Sequence, residues 1–222
     1  MTARPTRLDT LTPMPRTSAK VPALRPAPEL AALPVQERLL AASVRLFAEQ
    51  GFESTSVQEI VAAAGVTKGA MYHYFASKDD LLYEIYHRLL GLQTERLAAI
   101  ADGPGTLEER VRAAAADVVE TTLSSIDDAI VFFRSMHMLP LDKRTQVRTE
   151  RRRYHERFRA LVEEGQRGGT FREDVPADLV VHFFFGAVNQ LGTWYHHDGG
   201  LRRDQIAQHY AELFLTGLRP PA

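Results

Sequence analysis

The sequence predicts an all-α protein, on three observations. Apolar residues recur at helical spacing from residue 35 almost to the end of the chain, as the buried faces of helices require. No segment shows the apolar–polar alternation of a half-buried strand. Glycine or proline separates the helical segments, for example at Gly51, Gly65 and Pro104, as is usual where helices end. We therefore expect about nine helices in two domains.

Composition narrows the class of protein. The chain has 222 residues, a formal charge of −1 and 45% hydrophobic residues, enough for one or two cores. No stretch reaches the roughly 18 uninterrupted apolar residues of a membrane span. The lack of cysteine excludes disulfides, cysteine-ligated zinc and a thiol nucleophile. Because no apolar segment with a cleavage site opens the sequence, we expect no secretory signal and a cytoplasmic protein.

Residues 1–33 differ from the rest. Seven of the twelve prolines fall within the first 34 positions, and the segment carries five basic and two acidic residues. Proline lacks an amide donor and pushes the residue before it out of helical geometry. The composition predicts a disordered, Pro-rich basic arm. Both a solubilising tail and an arm that touches DNA are compatible with it.

Three short helices follow the arm. The first runs from Val35, with an apolar stripe that includes Leu39, and ends at Gly51. The second begins at the capping box Ser56-x-x-Glu59, runs to Ala64, and is broken by Gly65. The third runs over residues 67–74. The whole unit is predicted to occupy residues 34–80.

Longer helices fill residues 81–222. Caps, breakers and apolar stripes in this part of the sequence predict six of them. We place them from Ser77 to about Ile100, from the Thr106–Glu109 cap over Val111 to Val119, over 125–138, over about 147–164, over 179–195 and over about 206–217.

The segment around Gly65 predicts a helix-turn-helix. Gly65 supplies the left-handed backbone of the turn, and Val66 packs inward to set the angle between the helices. Thr67 stands at the N-cap of the second helix, whose first amides favour a phosphate. Tyr72 and His73 lie on the exposed face of that helix, where base-edge or phosphate contacts form in such motifs.

Three segments match one family in order and spacing. They are FAEQGF at 47–52, TSVQEI at 55–60 and GVTKGAMYHYFASKDDL at 65–81. Together they resemble the signature of the TetR family of transcriptional regulators. Val61 and Met71 depart from the alanine and leucine that are usual there, and both are swaps at inward-facing positions. The resemblance implies a DNA-binding domain over 34–80 and an effector-binding and dimerisation domain over 81–222.

The resemblance also implies which residues contact double-stranded DNA. Phosphate contacts come from Thr55 or Ser56 before the first helix of the motif, and from Lys78 after the second. The recognition surface itself is formed by Thr67, Lys68, Gly69, Ala70, Tyr72 and His73. Residues 35–80 carry four cations against six carboxylates, so binding rests on a few placed charges. Without the arm, we expect a shallow salt dependence.

One recognition helix reads few base pairs, so such domains dimerise across a pseudo-palindromic operator. The last two helices carry more apolar residues than one intramolecular face needs. In TetR-like proteins these helices pair with their symmetry mates in a four-helix bundle. We expect a homodimer through Phe184, Val188, Leu191, Tyr210 and Phe214. An entirely intrachain core is the alternative.

The effector is suggested by a second likeness. The segments 169–172, 178–181, 194–195 and 199–201 are similar to a branch of the family that controls fatty-acid and steroid catabolism, whose members respond to acyl-CoA thioesters. An apolar channel is expected from Phe132, Phe133, Met136 and Met138, with Trp194 nearby. Arg152, among the arginines between 148 and 159, is placed to meet the CoA phosphates. The alternatives are a solvated charged face, an ordinary core, or a non-CoA, drug-like ligand.

No catalytic or metal-binding motif is present. The eight histidines form no His-x-x-x-His pair, and no Gly-rich phosphate loop or nucleophile elbow appears. We expect no enzyme activity, no metal and no cofactor. The sequence thus predicts a homodimeric, ligand-responsive repressor with its hinge in the helix that begins at Ser77. An all-α hydrophobic-ligand carrier is the alternative.

Overall fold

The computed structural model describes residues 32–196 and 198–220, and every regular element in these ranges is a helix. Helices of seven or more residues are α1 Val35–Gln50, α2 Val57–Ala64, α3 Lys68–Tyr74, α4 Lys78–Ala101, α5 Leu107–Ser124, α6 Ile126–Ser135, α7 Leu141–Arg167, α8 Ala177–Asn189 and α9 Arg203–Leu218. A 3₁₀ turn, Met136–Met138, follows α6, and one helical turn, Leu191–Trp194, follows α8. The predicted all-α class with about nine helices is confirmed. The arm predicted over 1–33 lies outside the described residues except for Ala32 and Leu33.

Local signals set most helix starts. Ser56 and Thr106 each form a complete capping box with the glutamate three residues later, so the first free amides of α2 and α5 are satisfied. Ser77 caps α4 by accepting from the Asp80 amide at 3.1 Å. Gly65 ends α2 with φ 63° and ψ 40°, the left-handed geometry that glycine adopts without a Cβ clash.

Two boundaries differ from the prediction. The helix expected over 179–195 breaks at Gln190, and the turn that follows lies so close to α6 that a Cβ on Gly192 would come within 2.8 Å of Ile130. Helix α7 begins at Leu141 after Pro140, well before the expected start near 147. Its first turns carry few apolar residues, so periodicity alone did not reveal them. No helix in the described ranges is long and apolar enough to cross a bilayer.

The helices enclose two hydrophobic cores. The N-terminal core contains residues of α1, α2, α3 and the first half of α4. It also contains four residues from later in the sequence, Val131, Phe132, Leu139 and Val147. The C-terminal core joins the second half of α4 to α5, α7, α8 and α9. The N-terminal core therefore extends past residue 80, and α4 contributes to both cores.

Gly165 allows the end of α7 to pack on the segment that follows. A Cβ at this position would lie 2.1 Å from Cδ2 of Phe171, whose ring is buried in the C-terminal core. We expect Gly165→Ala to lower the free energy of unfolding by about 1–3 kcal/mol because the ring must shift. Urea unfolding followed by circular dichroism measures this change.

Gly91→Ala is the matched control. Gly91 also lies inside a helix, and no atom lies within 4 Å of its added Cβ, so we expect it to raise stability by about 0.5–1 kcal/mol. A Gly165→Ala protein as stable as the Gly91→Ala protein would contradict the close approach.

Candidate nucleic-acid interface and effector cleft

The geometry of the α2–α3 unit is fixed from behind by α1. Arg38 donates from Nη1 to the carbonyls of Ala64 and Gly65 at 3.3 and 3.4 Å, so the turn is held by a cation. Val66 is partly buried against the N-terminal core, as predicted. The second helix of the motif therefore projects at a fixed angle from the domain.

Helix α3 presents one buried and one exposed face. Thr67 caps it by accepting from the Ala70 amide at 3.1 Å, and Met71 is its one fully buried residue. Lys68, Tyr72 and His73 are exposed, with the Lys68 Nζ 5.9 Å from the centre of the Tyr72 ring. The exposed face thus combines a cation, a phenol and an imidazole.

Gly69 stands in the middle of that face. A Cβ there would meet only the Thr67 hydroxyl, at an ordinary contact of 3.9 Å. The packing of the protein therefore leaves room for a side chain at position 69, although the residue there is a glycine. Because glycine has no side chain, another molecule can approach the backbone of α3 closely at this position.

Thr55, named with Ser56 as an expected phosphate contact, lies inside the domain in the structure. Its side chain is 1% exposed, because the hydroxyl donates to the Gly51 carbonyl at 2.8 Å and closes the loop between α1 and α2. Ser56 is exposed, and its hydroxyl donates to Glu59 at 2.7 Å. The backbone and side-chain hydrogen bonds from Ser56 lower the pKa of Glu59, so that carboxylate stays charged beside the hydroxyl.

Lys78, the other expected phosphate contact, is also bonded inside the domain. Its ammonium donates to the carbonyls of Phe52 and Thr55 at 2.7 and 2.8 Å and lies 4.3 Å from the centre of the Phe52 ring. The side chain therefore points into the domain and stabilises the loop before α2, so its ammonium is engaged within the domain. With Arg38 similarly bound to carbonyls, Lys68 is the cation on the exposed face of α3.

The predicted dimer residues lie mostly inside the monomer. Phe184, Val188, Leu191 and Phe214 are at most 6% exposed in the C-terminal core, and Tyr210 packs partly buried against it. The first four therefore offer little surface to a second copy, while Tyr210 stays partly accessible. The outward apolar residues of the same two helices are Leu179, Phe183 and Leu213, which are 60%, 78% and 72% exposed.

A cleft of about 500 Å³ opens between α7 and α8. Positions 148, 151, 152, 155 and 159 form one face of α7 and line it, and a smaller inner cavity of about 40 Å³ adjoins it. Four residues, Arg151, His155, Phe185 and Asn189, line both spaces. We refer to the larger space as the outer cleft and to the smaller one as the inner cavity.

The predicted effector residues divide between these spaces. Met136 and Arg152 line the outer cleft, and Phe132 and Phe133 line the inner cavity. Met138 packs against the N-terminal core and Trp194 lines neither space, so the structure does not bring these two together with the others. Two further residues, His155 and Phe185, lie at the junction. In a helical pattern they look like a surface histidine and a core phenylalanine, so no sequence signal marked them as effector residues.

The outer cleft is electropositive. It is lined by four arginines and two carboxylates, Glu156 and Asp178. Arg152 is paired with Glu156 at 2.8 Å, and Arg159 with Glu163 at 3.1 Å. Such charge favours an anionic ligand.

Arg151 is half-buried and differs from Arg152 and Arg159 in its partners. Within residues 32–196 and 198–220 it forms no ion pair, and its guanidinium carbon lies 5.7 Å from the Phe132 ring and 6.0 Å from the Phe133 ring. Burial lowers the pKa of this guanidinium. The two rings offset part of the desolvation through cation–π attraction.

His155 is half-buried at the junction of the two spaces. Its ring stacks on Phe185 with 4.0 Å between centroids, and the His182 ring lies 6.0 Å away. Burial lowers the pKa of His155 to about 4, with the Arg151 and His182 charges acting in the same direction and Asp178 against it. The imidazole is therefore neutral at pH 7. In the part of the chain that the structure describes, no three His, Asp or Glu side chains are grouped to bind a metal.

Comparisons with known proteins cover both halves of the chain. Residues 39–85 match the family model "Bacterial regulatory proteins, tetR family", and residues 104–218 match "Tetracyclin repressor-like, C-terminal domain". The HTH-type transcriptional repressor KstR2 of Rhodococcus jostii is 29% identical over 192 residues, which cover 82% of this chain and 90% of that protein.

Solved structures share the fold. The TetR family regulator PfmR from Thermus thermophilus has a TM-score of 0.76 at 28% identity, covering 82% of this chain and 100% of that one. AibR, crystallised with isovaleryl coenzyme A and operator DNA, has a TM-score of 0.73 at 24% identity, covering 85% of this chain and 100% of that one.

The lowered pKa of His155 predicts a pH-dependent stability. Between about pH 6.5 and 4 the unfolded chain binds a proton on this imidazole that the folded chain does not, so the free energy of unfolding falls as the pH falls through that window. We expect His155→Gln to make the decline shallower. Urea unfolding at several pH values from 7 to 4 measures the slope.

His137→Gln serves as the control, because His137 is exposed and lies outside the cleft. It should retain the wild-type slope. Equal slopes for His155→Gln and wild type would show that His155 is not held neutral by burial.

Proposed function

Because the chain belongs to the TetR family of bacterial regulatory proteins, we propose that it is a homodimeric transcriptional repressor. Helix α3 binds operator DNA, and a small effector bound in the C-terminal domain releases it. The observation that carries this proposal is the exposed face of α3, where Lys68, Tyr72 and His73 surround Gly69 on a helix anchored by the buried Met71. A regulator of the cell's own genes works in the cytoplasm, where we place it.

Operator binding follows from the shape of α3 more than from charge. A helix enters the major groove of B-DNA, where base edges present donors and acceptors. Gly69 and Ala70 let its backbone approach, Tyr72 and His73 offer polar groups to bases or phosphates, and Lys68 pairs with a phosphate. A hydrophobic-ligand carrier without DNA function would leave this surface without a use.

The homodimer forms through the outward faces of α8 and α9. Leu179, Phe183 and Leu213 expose large apolar side chains on these two helices, and each buried side chain of this size contributes about 1.5–3 kcal/mol. A second copy that covers the same residues by two-fold symmetry places two α3 helices on successive half-sites of a pseudo-palindrome.

The effector is an anion with an apolar part, and an acyl-CoA thioester fits this chemistry. Phosphates pair with arginines in the outer cleft, while the acyl group enters the inner cavity. A cavity of about 40 Å³ holds roughly three groups the size of a water molecule, which favours short acyl chains. AibR, of the same fold, was crystallised with isovaleryl coenzyme A. We propose binding without catalysis, and a drug-like hydrophobic ligand is the alternative.

Two lysine variants test the operator-binding surface. Fluorescence anisotropy with DNA from the region upstream of the protein's gene gives the affinity as a function of salt. We expect Lys68→Gln to reduce the slope of log K against log salt by about 1, because one phosphate contact is lost. Lys78→Gln should keep the slope, since its ammonium is bound to carbonyls. It should lower the free energy of unfolding by about 1–3 kcal/mol instead.

The reverse outcome, a slope that changes for Lys78→Gln but not for Lys68→Gln, would contradict this assignment. Absence of any preference for upstream DNA over a scrambled sequence would overturn operator binding as proposed.

Charge placed on the apolar face tests the dimer. The double variant Phe183→Glu/Leu213→Glu should run as a folded monomer of 24.9 kDa at micromolar concentration in size-exclusion chromatography with light scattering, because buried unpaired carboxylates oppose association. Leu141→Glu, an equally exposed leucine on α7 at 69%, should remain dimeric. A dimer in the double variant would place the interface elsewhere.

A further inference from the structure

Arg151 occupies the junction between the outer cleft and the inner cavity. It is the one arginine that lines both. Its guanidinium faces two aromatic rings and, among the described residues, no carboxylate. An ion without a counter-ion in a partly desolvated site is costly, and a bound anion removes that cost. The neighbouring arginine in the outer cleft, Arg152, already pairs with Glu156.

The contacts of Arg151 lead to the DNA-binding domain in two steps. Its guanidinium lies over the ring of Phe132, and that ring packs edge-on against Tyr86 with 4.8 Å between centroids. Tyr86 lies on α4, is fully buried, and donates its hydroxyl to the carbonyls of Val131 and Phe132 at 3.1 and 3.0 Å. Ring and backbone of Phe132 are thus both tied to α4.

Helix α7 also contacts the start of α4 directly. Lys143 is paired with Asp80, the residue that the Ser77 cap of α4 binds, and His87 lies 3.2 Å from Glu150. Helix α4 follows α3 after only three residues. A shift of Arg151 and Phe132 therefore reaches α3 through one packed helix.

We propose that Arg151 binds the anionic group of the effector and that Phe132 and Tyr86 transmit its occupancy to α4. The proposal rests on the proposed effector-responsive function and adds the residue that detects the ligand. An anion bound at Arg151 draws the guanidinium away from the Phe132 ring. The ring then repacks against Tyr86, and the α4 orientation that holds α3 on DNA loses stability.

The anion is the carboxylate of a free acid whose chain enters the inner cavity, or a phosphate of a coenzyme A thioester. In the second case the acyl group lies outside the inner cavity, because the pantetheine arm separates it from the phosphates. Three probes distinguish these sources. Coenzyme A, butyryl-CoA and butyrate are each titrated by calorimetry into the full chain without DNA. Binding of butyrate but not coenzyme A identifies a carboxylate, and binding of coenzyme A or butyryl-CoA alone identifies a phosphate. Failure of all three to bind the wild-type chain would overturn both the effector assignment and the role of Arg151.

Arg151→Gln tests detection. We expect its affinity for the probe that binds wild type to fall roughly 10- to 100-fold, as for loss of a charge-assisted hydrogen bond. Arg153→Gln removes the same charge from an exposed neighbour that lines neither space and should change the affinity less than about threefold. Equal effects of the two variants would overturn the assignment while leaving the effector-binding function in place.

Tyr86→Phe tests transmission. It removes the hydroxyl that binds two carbonyls and keeps the ring, so we expect probe affinity and DNA affinity, each measured alone, to stay within about threefold of wild type. The ratio of DNA dissociation constants with and without probe should shrink toward one, and the same factor must appear in probe affinity with and without DNA. Phe132→Leu, a second break in the same path, should also shrink the ratio toward one, and because this ring lines the inner cavity its probe affinity should fall as well. If both variants keep the wild-type ratio of DNA dissociation constants, transmission through Phe132 and Tyr86 is overturned.

Discussion

The fold depends on α4, because this helix is part of both hydrophobic cores. This helix of 24 residues is about 36 Å long, and its two halves are buried in different cores. A rigid rod that contributes to both cores prevents either from reorienting alone. The buried hydroxyl of Tyr86 fixes the rod at the meeting point of the cores, and burial raises the pKa of Tyr86, so the group stays a donor to the end of α6. A change in how α6 and α7 pack therefore acts on α4, which follows α3 after three residues.

The DNA-binding domain uses two of the four cations in residues 35–80 to hold its own backbone. Arg38 holds the turn of the motif and Lys78 holds the loop before α2, both through backbone carbonyls. These bonds fix the angle at which α3 projects, and they leave Lys68 as the cation on its exposed face. Affinity for an operator therefore depends on how well a rigid shape fits the groove, and less on a broad positive field. Such a surface is sensitive to small tilts of α4.

The sequence predicted the parts of this architecture that local chemistry controls. Capping at Ser56, Thr67 and Ser77 and the left-handed turn at Gly65 all depend on neighbouring residues, and all are present. The inward bonding of Thr55 and Lys78 could not be predicted, because a hydroxyl or an ammonium can bond either inward or outward and only the packed loop decides. On α8, Phe183, Phe184 and Phe185 follow one another, so composition alone does not fix which ring faces out. The two-part cleft depends on how α7 lies against α8, which no local pattern specifies.

The central claim is that occupancy of the cleft controls the fit of α3 to DNA. Its most direct test is fluorescence anisotropy of DNA from the gene's upstream region, at fixed salt, with and without butyryl-CoA. We expect specific binding with a dissociation constant of about 10 nM or below, weakened at least about tenfold by the thioester. Tight specific binding that neither butyryl-CoA, coenzyme A nor butyrate changes would contradict it.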